Sequence, residues 1–174
     1  MTTRARLRFL TYGLASLVVV ADQALKYWIL EVYRLPDRLA ERSLIGLGDP
    51  GVPVIGPFHL TLVSNRGVSF GFLNLPLEWT RWALSAFSLA VVIGLAIWAR
   101  TIQRPLLAIA IGLIIGGAVG NLIDRVRLGA VVDFLDFSRL WFPWVFNLAD
   151  SAITVGSVLL IWELFLAPPK RAGA

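Results

Sequence analysis

The 174-residue chain contains no cysteine and one histidine, His59. The first absence excludes disulfides, thiol nucleophiles and cysteine-ligated metals. The second excludes the paired-histidine zinc motif of metalloproteases, and no metal or organic cofactor is expected. A serine triad would have to use His59, which sits in a strand-like run where a structural role suits it better. Charge is scarce too. Charged residues make up 16% of the chain and apolar ones 57%, against roughly 25% and 45–50% in soluble domains. With a mean hydropathy of +0.76, the composition is that of an integral membrane protein. The net charge of +5 would suit a nucleic-acid partner. However, the basic residues flank apolar runs instead of lining one amphipathic face, so no nucleic acid is expected and membrane lipids are the surroundings.

What the chain does have is long hydrophobic runs. About 20 apolar residues cross ~30 Å of hydrocarbon, and four runs qualify: residues 9–30, 79–99, 105–123 and 146–166. Residues 1–174 thus read as one membrane-embedded domain with outer loops 31–78 and 124–145. The first run follows Arg4, Arg6 and Arg8 in the manner of a signal peptide. It continues past Asp22 and Lys26 to Leu30, beyond the 7–15 residues of a signal core, and is expected to remain as a span. Basic residues without acidic neighbours mark the N-terminus, the link at Arg100 and Arg104, and the C-terminus at Lys170 and Arg171. That pattern predicts both termini in the cytoplasm and the mixed-charge loops outside. Trp28, Trp79, Trp98, Trp141, Trp144 and Trp162 fall near the predicted interfaces.

The outer loops carry signals of their own. "PVIGPFHLTLVSNRGVSFGFL" combines β-branched residues with Gly and Pro, predicting short strands and a turn at Asn65–Gly67. "VVDFLDFSRLWFPWVF" mixes apolar and charged residues and suits a segment lying on the membrane surface. Asp37, Arg38, Glu41 and Arg42 read as a solvated helix face. Gly112, Gly116 and Gly120, spaced by four with Asp124 next, would let span three approach a neighbour such as span four, within one chain or between two.

The quartet Asn-Leu-x-Asp occurs twice, in "GNLIDR" at 120–125 and "FNLADS" at 146–151. One ends span three and the other begins span four, so the predicted topology brings both to the outer face. Asn and Asp three apart share a helix face, which sets Asn121 beside Asp124 and Asn147 beside Asp150. A carboxylate at membrane depth is costly and is a functional hypothesis by default. Asp150 would suit a helix N-terminus as a purely structural group, whereas Asp124, at a C-terminal end, is disfavoured by the helix dipole. Two carboxylates brought close share one proton. One can then activate water while the other protonates a scissile carbonyl, which is aspartic peptide hydrolysis.

These residues together resemble the lipoprotein signal peptidase, or signal peptidase II, family over nearly the whole chain. "DQALK" (Asp22 to Lys26), "NRGVSFGFL", "GGAVGNLIDR", "VVDF" and "FNLADSAI" follow the family's motifs in order. The resemblance implies an all-α integral membrane protein with four transmembrane helices, a small extracytoplasmic β-cradle and a surface helix. It further implies an intramembrane aspartic endopeptidase of the bacterial inner membrane, acting near the outer face. Its substrates would be prolipoproteins, cut N-terminal to a diacylglyceryl-modified cysteine. By motif position Asp124 and Asp150 resemble the catalytic pair. Asn65, Gly67, Asn121, Arg125 and Asn147 match positions that line or support the site, Arg125 positioning substrate or a loop. Ser69 stands where the family frequently has alanine.

Asp22 and Lys26 are read as an intrahelical ion pair with Lys26 snorkelling outward, in preference to catalysis, Asp133 as a loop-ordering residue in preference to a third acidic participant, and Glu163 as interfacial. Other chemistries compete. A Ser–Lys dyad could draw on Lys26 with Ser64, Ser69 or Ser151, and a proton-coupled transporter would also use membrane aspartates. Transporter acids belong near the midplane, whereas Asp124 and Asp150 lie at span ends. A non-catalytic adaptor would leave the quartets without a role.

Overall fold

The computed structural model describes residues 2–44, 51–67, 77–140 and 142–166. Ser69 and Trp141 lie outside them. Among the described residues four helices are long and apolar enough to span a bilayer. The first, α1 (Thr3–Tyr27), continues through a wider π-helical turn at Trp28–Val32. The others are α3 (Leu77–Ala99), α4 (Pro105–Leu128) and α5 (Leu148–Ile161), the last extended by a π-helical turn at Trp162–Leu166. The short helix α2 (Leu35–Leu44) follows the first span, and its charged face bears an Arg34–Asp37 ion pair of 2.6 Å. Two strands, β1 (Val52–Ile55) and β2 (Phe58–Asn65), precede α3; β3 (Val131–Asp136) and β4 (Val145–Phe146) lie between α4 and α5. They form one antiparallel sheet in the order β1-β2-β3-β4, as the resemblance implied.

Several boundaries differ from the sequence reading: the first span begins at Thr3, and span four begins at Leu148, with Phe146 in β4. Span three does not stop at residue 123. "LIDRVRL" keeps good helix formers, so α4 runs to Leu128 and ends at Gly129, whose φ of 80° suits a residue without Cβ. The segment 127–146 supplies β3, a 3-10 turn at Ser138–Leu140 and β4. β3 pairs with β2 at Val63↔Asp133 and Asn65↔Val131. The short α-helix of this region of the fold is α2.

The centre of the bundle is α4, two-thirds buried over its most apolar window against 11% for α3. Glycines set the close approaches. A Cβ on Gly112 would fall 2.7 Å from the Thr11 carbonyl, and one on Gly116 would fall 2.7 Å from Val18 Cβ. The stripe therefore packs chiefly against α1, within one chain, and at Gly120 also meets Ala149 of span four. Gly117 and Gly156 serve the α4–α5 contact, facing the carbonyls of Ala149 and Ala110. At one end of the bundle Arg104 reaches Glu163 at 3.2 Å. At the other end Ile29, Leu35, Leu60 and Phe134 form a small core under the sheet, and there the polar residues gather.

Candidate active site

The two quartets are not equivalent in structure. Asn147 is the N-cap of α5, with an extended backbone, and its Oδ1 accepts from the Asp150 backbone N–H at 2.9 Å. Asp150 accepts in return from the Asn147 N–H at 3.3 Å, closing a capping box. Asn121 and Asp124 instead lie within α4. Asn121 does not bond Asp124; its Nδ2 crosses to Asp150 Oδ1 at 2.7 Å. Asp150 thus keeps Asn147 and gains Asn121 from the neighbouring helix.

Asp124 is tied to α1. Lys26 Nζ stands 2.7 Å from Asp124 Oδ2 and 2.8 Å from Asp22 Oδ2. Gln23 Nε2 donates to Asp124 Oδ1 at 3.0 Å and to Asp22 Oδ2 at 3.1 Å. Asp124 Oδ2 also accepts the Val132 N–H at 3.1 Å. Asp22, Lys26 and Asp124 are at most 4% exposed. Lys26 therefore does not snorkel; it is buried between two carboxylates, compensating the unfavourable dipole at the end of α4. Among the described residues no serine hydroxyl bonds to Lys26, and Ser151 donates to the Asn147 carbonyl at 3.0 Å, so the Ser–Lys alternative gains nothing.

Asp133 enters from the sheet. Gly129 turns the chain so sharply that β3 begins two residues later and returns beside the end of α4. Asp133 is 1% exposed. Its Oδ1 accepts from Asn147 Nδ2 at 2.8 Å and its Oδ2 from Asn65 Nδ2 at 2.9 Å. Asn65 is held by its own turn, with Oδ1 accepting the Gly67 N–H at 2.9 Å, as the Asn65–Gly67 signal predicted. Asn147 is the hub: the same Nδ2 also lies 3.1 Å from Asn121 Oδ1 and 3.2 Å from the Val132 carbonyl.

The electrostatics separate the aspartates. Among the described residues neither Asp133 nor Asp150 has an ion-pair partner. Burial pushes the Asp133 carboxyl up to about 7, the hydrogen bond from Asn65 pulls down, and the charge of Asp150 pushes up again. More weakly, Lys26 and Asn147 pull it down. Asp136 goes the other way. Burial raises it, but bonds from the Ser138 side chain and backbone and from Thr61 hold it below the usual carboxylate range. Arg125 is half-buried and within electrostatic range of Asp150, Asp124 and Asp133. His59 is not in this cluster; its Nδ1 lies 3.0 Å from the Pro57 carbonyl.

Asp124, Asp150, Asn65, Gly67, Asn121, Arg125 and Asn147 are thus brought to one end of the bundle, together with Asp22 and Lys26. Sequence reasoning misses Gln23 and the bonds from Asn65 and Asn147 to Asp133. The signal for Asp133 is present: a carboxylate in the β-branched and aromatic run "VVDF", a setting that strands rarely give to aspartate.

The profile of the family described as Signal peptidase (SPase) II matches residues 14–166. The chain belongs to the signal peptidase II family. Among curated relatives, the lipoprotein signal peptidase of Caulobacter vibrioides is 52% identical over 166 residues, covering 94% of this chain and 90% of the relative. That of Hydrogenovibrio crunogenus is 39% identical, covering 92% and 88%. A bacterial membrane enzyme structure obtained by the in meso method at 1.9 Å is 28% identical with a TM-score of 0.71, over 91% of this chain and 94% of that one. Signal peptidase II membership accounts for the four-span, small-sheet architecture.

Proposed function

We propose that the chain is an intramembrane aspartic endopeptidase that removes signal peptides from prolipoproteins, cutting N-terminal to a diacylglyceryl-modified cysteine, with Asp133 and Asp150 as its proton-sharing pair. Family membership carries the protease and its prolipoprotein substrates. The observation that carries the pair is the Asn147 side chain. Its Nδ2 bonds Asp133 and its Oδ1 bonds the Asp150 N–H. Motif position alone would put Asp124, and not Asp133, beside Asp150 in that pair. Asp124 has its charge compensated by Lys26 and both oxygens engaged. Asp133 has no such cation, faces the charge of Asp150 and keeps a proton up to about pH 7. One proton belongs to the pair. The ionised member takes a proton from water as it attacks the scissile carbonyl, and the protonated member donates to the carbonyl oxygen. Arg125, placed near all three acids, suits substrate or loop positioning.

The site lies at the end of the bundle that carries the sheet, away from Arg8, Arg100 and Arg104. With the positive-inside bias this supports an outer-face site in a bacterial inner membrane and cytoplasmic termini. In proteoliposomes, a prolipoprotein carrying the diacylglyceryl group is expected to be cut and its unlipidated form left intact, as read by mass spectrometry of the released signal peptide. Equal cleavage of both forms would contradict the lipid-dependent reading.

A further inference from the structure

We infer that Lys26, with Asp22 and Asp124, forms a buried clamp that sets the spacing of the catalytic aspartates, making Lys26 a positioning residue of the reaction. The inference rests on the Asp133–Asp150 reading. Its observation is a symmetry in the hydrogen bonds. The residue immediately before each proposed catalytic aspartate gives its backbone N–H to one carboxylate of the triad. Ala149 N–H donates to Asp22 Oδ1 at 3.0 Å, and Val132 N–H donates to Asp124 Oδ2 at 3.1 Å. Lys26 Nζ then bridges Asp22 Oδ2 and Asp124 Oδ2 at 2.8 and 2.7 Å. One ammonium thereby links the backbone that carries Asp150, on α5, to the backbone that carries Asp133, on β3.

Each bond has a physical cause. Ala149 is in the first turn of α5, where backbone N–H groups lack helical acceptors, so a carboxylate from α1 satisfies one of them. Val132 is fixed from both sides, by Asp124 at its N–H and by Asn147 at its carbonyl. Two buried carboxylates alone would repel; the lysine between them makes their approach favourable. Gly120 lets them fit, because a Cβ there would lie 2.7 Å from Asp22 Oδ2. None of the three charged residues needs to touch substrate for this role. A cavity of about 120 Å³ beside Lys26, lined also by Gln23, Glu31 and Arg127, leaves room for a larger cation at this position.

Misplacing a reacting group by about 1 Å costs on the order of 100-fold in rate. Lys26→Met, in the full-length protein in proteoliposomes, is therefore expected to lower kcat about 100-fold with KM within roughly threefold of wild type. Its pH profile adds a readout that packing alone would not move. The groups acting on Asp133 are Asn65, Asn147, Asp150, Arg125 and Lys26. Removing the positive charge of Lys26 should carry the alkaline limb to higher pH. Lys26→Arg should keep the limb in place and recover at least about tenfold of the lost kcat. Gly120→Ala leaves every charge intact and displaces Asp22, so kcat should fall about tenfold with the limb unmoved.

A folded Lys26→Met enzyme with wild-type kcat and an unmoved limb would overturn the clamp. If Lys26→Met does not fold, Gly120→Ala decides alone, and wild-type kcat in that variant overturns it. An inactive Asp133→Asn beside fully active Lys26→Met and Gly120→Ala removes the clamp and leaves the aspartate pair standing. Retained cleavage by Asp133→Asn removes the pair, and the clamp with it.

Discussion

Asp133→Asn is expected to abolish signal-peptide release, with kcat reduced by about 1000-fold or more, while its stability relative to wild type improves as the pH is raised. Asparagine keeps the shape but can neither ionise to activate water nor hold the shared proton. The stability half follows from burial. The carboxyl is 1% exposed, without an ion-pair partner among the described residues, and is raised from its ordinary 3.8 to about 7. Below about pH 4 it is protonated in both folded and unfolded chains and contributes nothing. Between about pH 4 and pH 7 the unfolded chain ionises first, so this group increasingly disfavours folding; above about 7 the penalty is constant. The Tm of Asp133→Asn should thus gain on wild type as the pH is raised from about 5 to about 8. A variant that loses activity together with stability at pH 8 would point to a structural aspartate.

Asp124→Asn is expected to do the reverse, with Tm falling by on the order of 10 °C. Breaking a buried ion pair from one side costs about 3–5 kcal/mol. The low end applies, because Asp22 still faces Lys26 at 2.8 Å. A chain of this size loses roughly 2–4 °C per kcal/mol, which gives a fall of that order. The amide can accept from only some of the three donors that Asp124 now holds, Lys26, Gln23 and the Val132 N–H. Catalysis should decline through misplacement of Val132, but less steeply per folded molecule than in Asp133→Asn. Thermal unfolding alongside single-turnover cleavage measures both. An Asp124→Asn protein of wild-type stability and no activity would return Asp124 to the pair.

These two variants bear on the part of the site that is hardest to read in the amino-acid order. Hydropathy locates all four spans, because bilayer length and apolarity constrain a span strongly. Ends are less legible: helix formers carry α4 past Asp124, and only Gly129 stops it. Asn147 and Asp150 are recognisable at the start of span four, but as neighbours on one helix face; a capping box is the more specific relation. The repetition of Asn-Leu-x-Asp suggests that like residues do like work. In three dimensions Asn121 serves Asp150, and Asp124 serves Lys26 and Val132. Local spacing cannot report the crossing of Asn121 to Asp150, since it depends on how α1, α4 and α5 pack. The same applies to Asp133, whose approach to Asn147 requires the two-residue turn after α4 and the pairing of β3 with β2.

The pair of Asp133 and Asp150 is tested most directly by infrared titration of the protein in lipid, following the carbonyl stretch of protonated carboxyls from about pH 5 to pH 9, a range that brackets the value near 7. Wild type should show a band lost near pH 7, absent in Asp133→Asn, shifted in Asp150→Asn and retained in Asp124→Asn. A band that survives in Asp133→Asn and vanishes in Asp124→Asn would contradict the assignment and put the shared proton on Asp124.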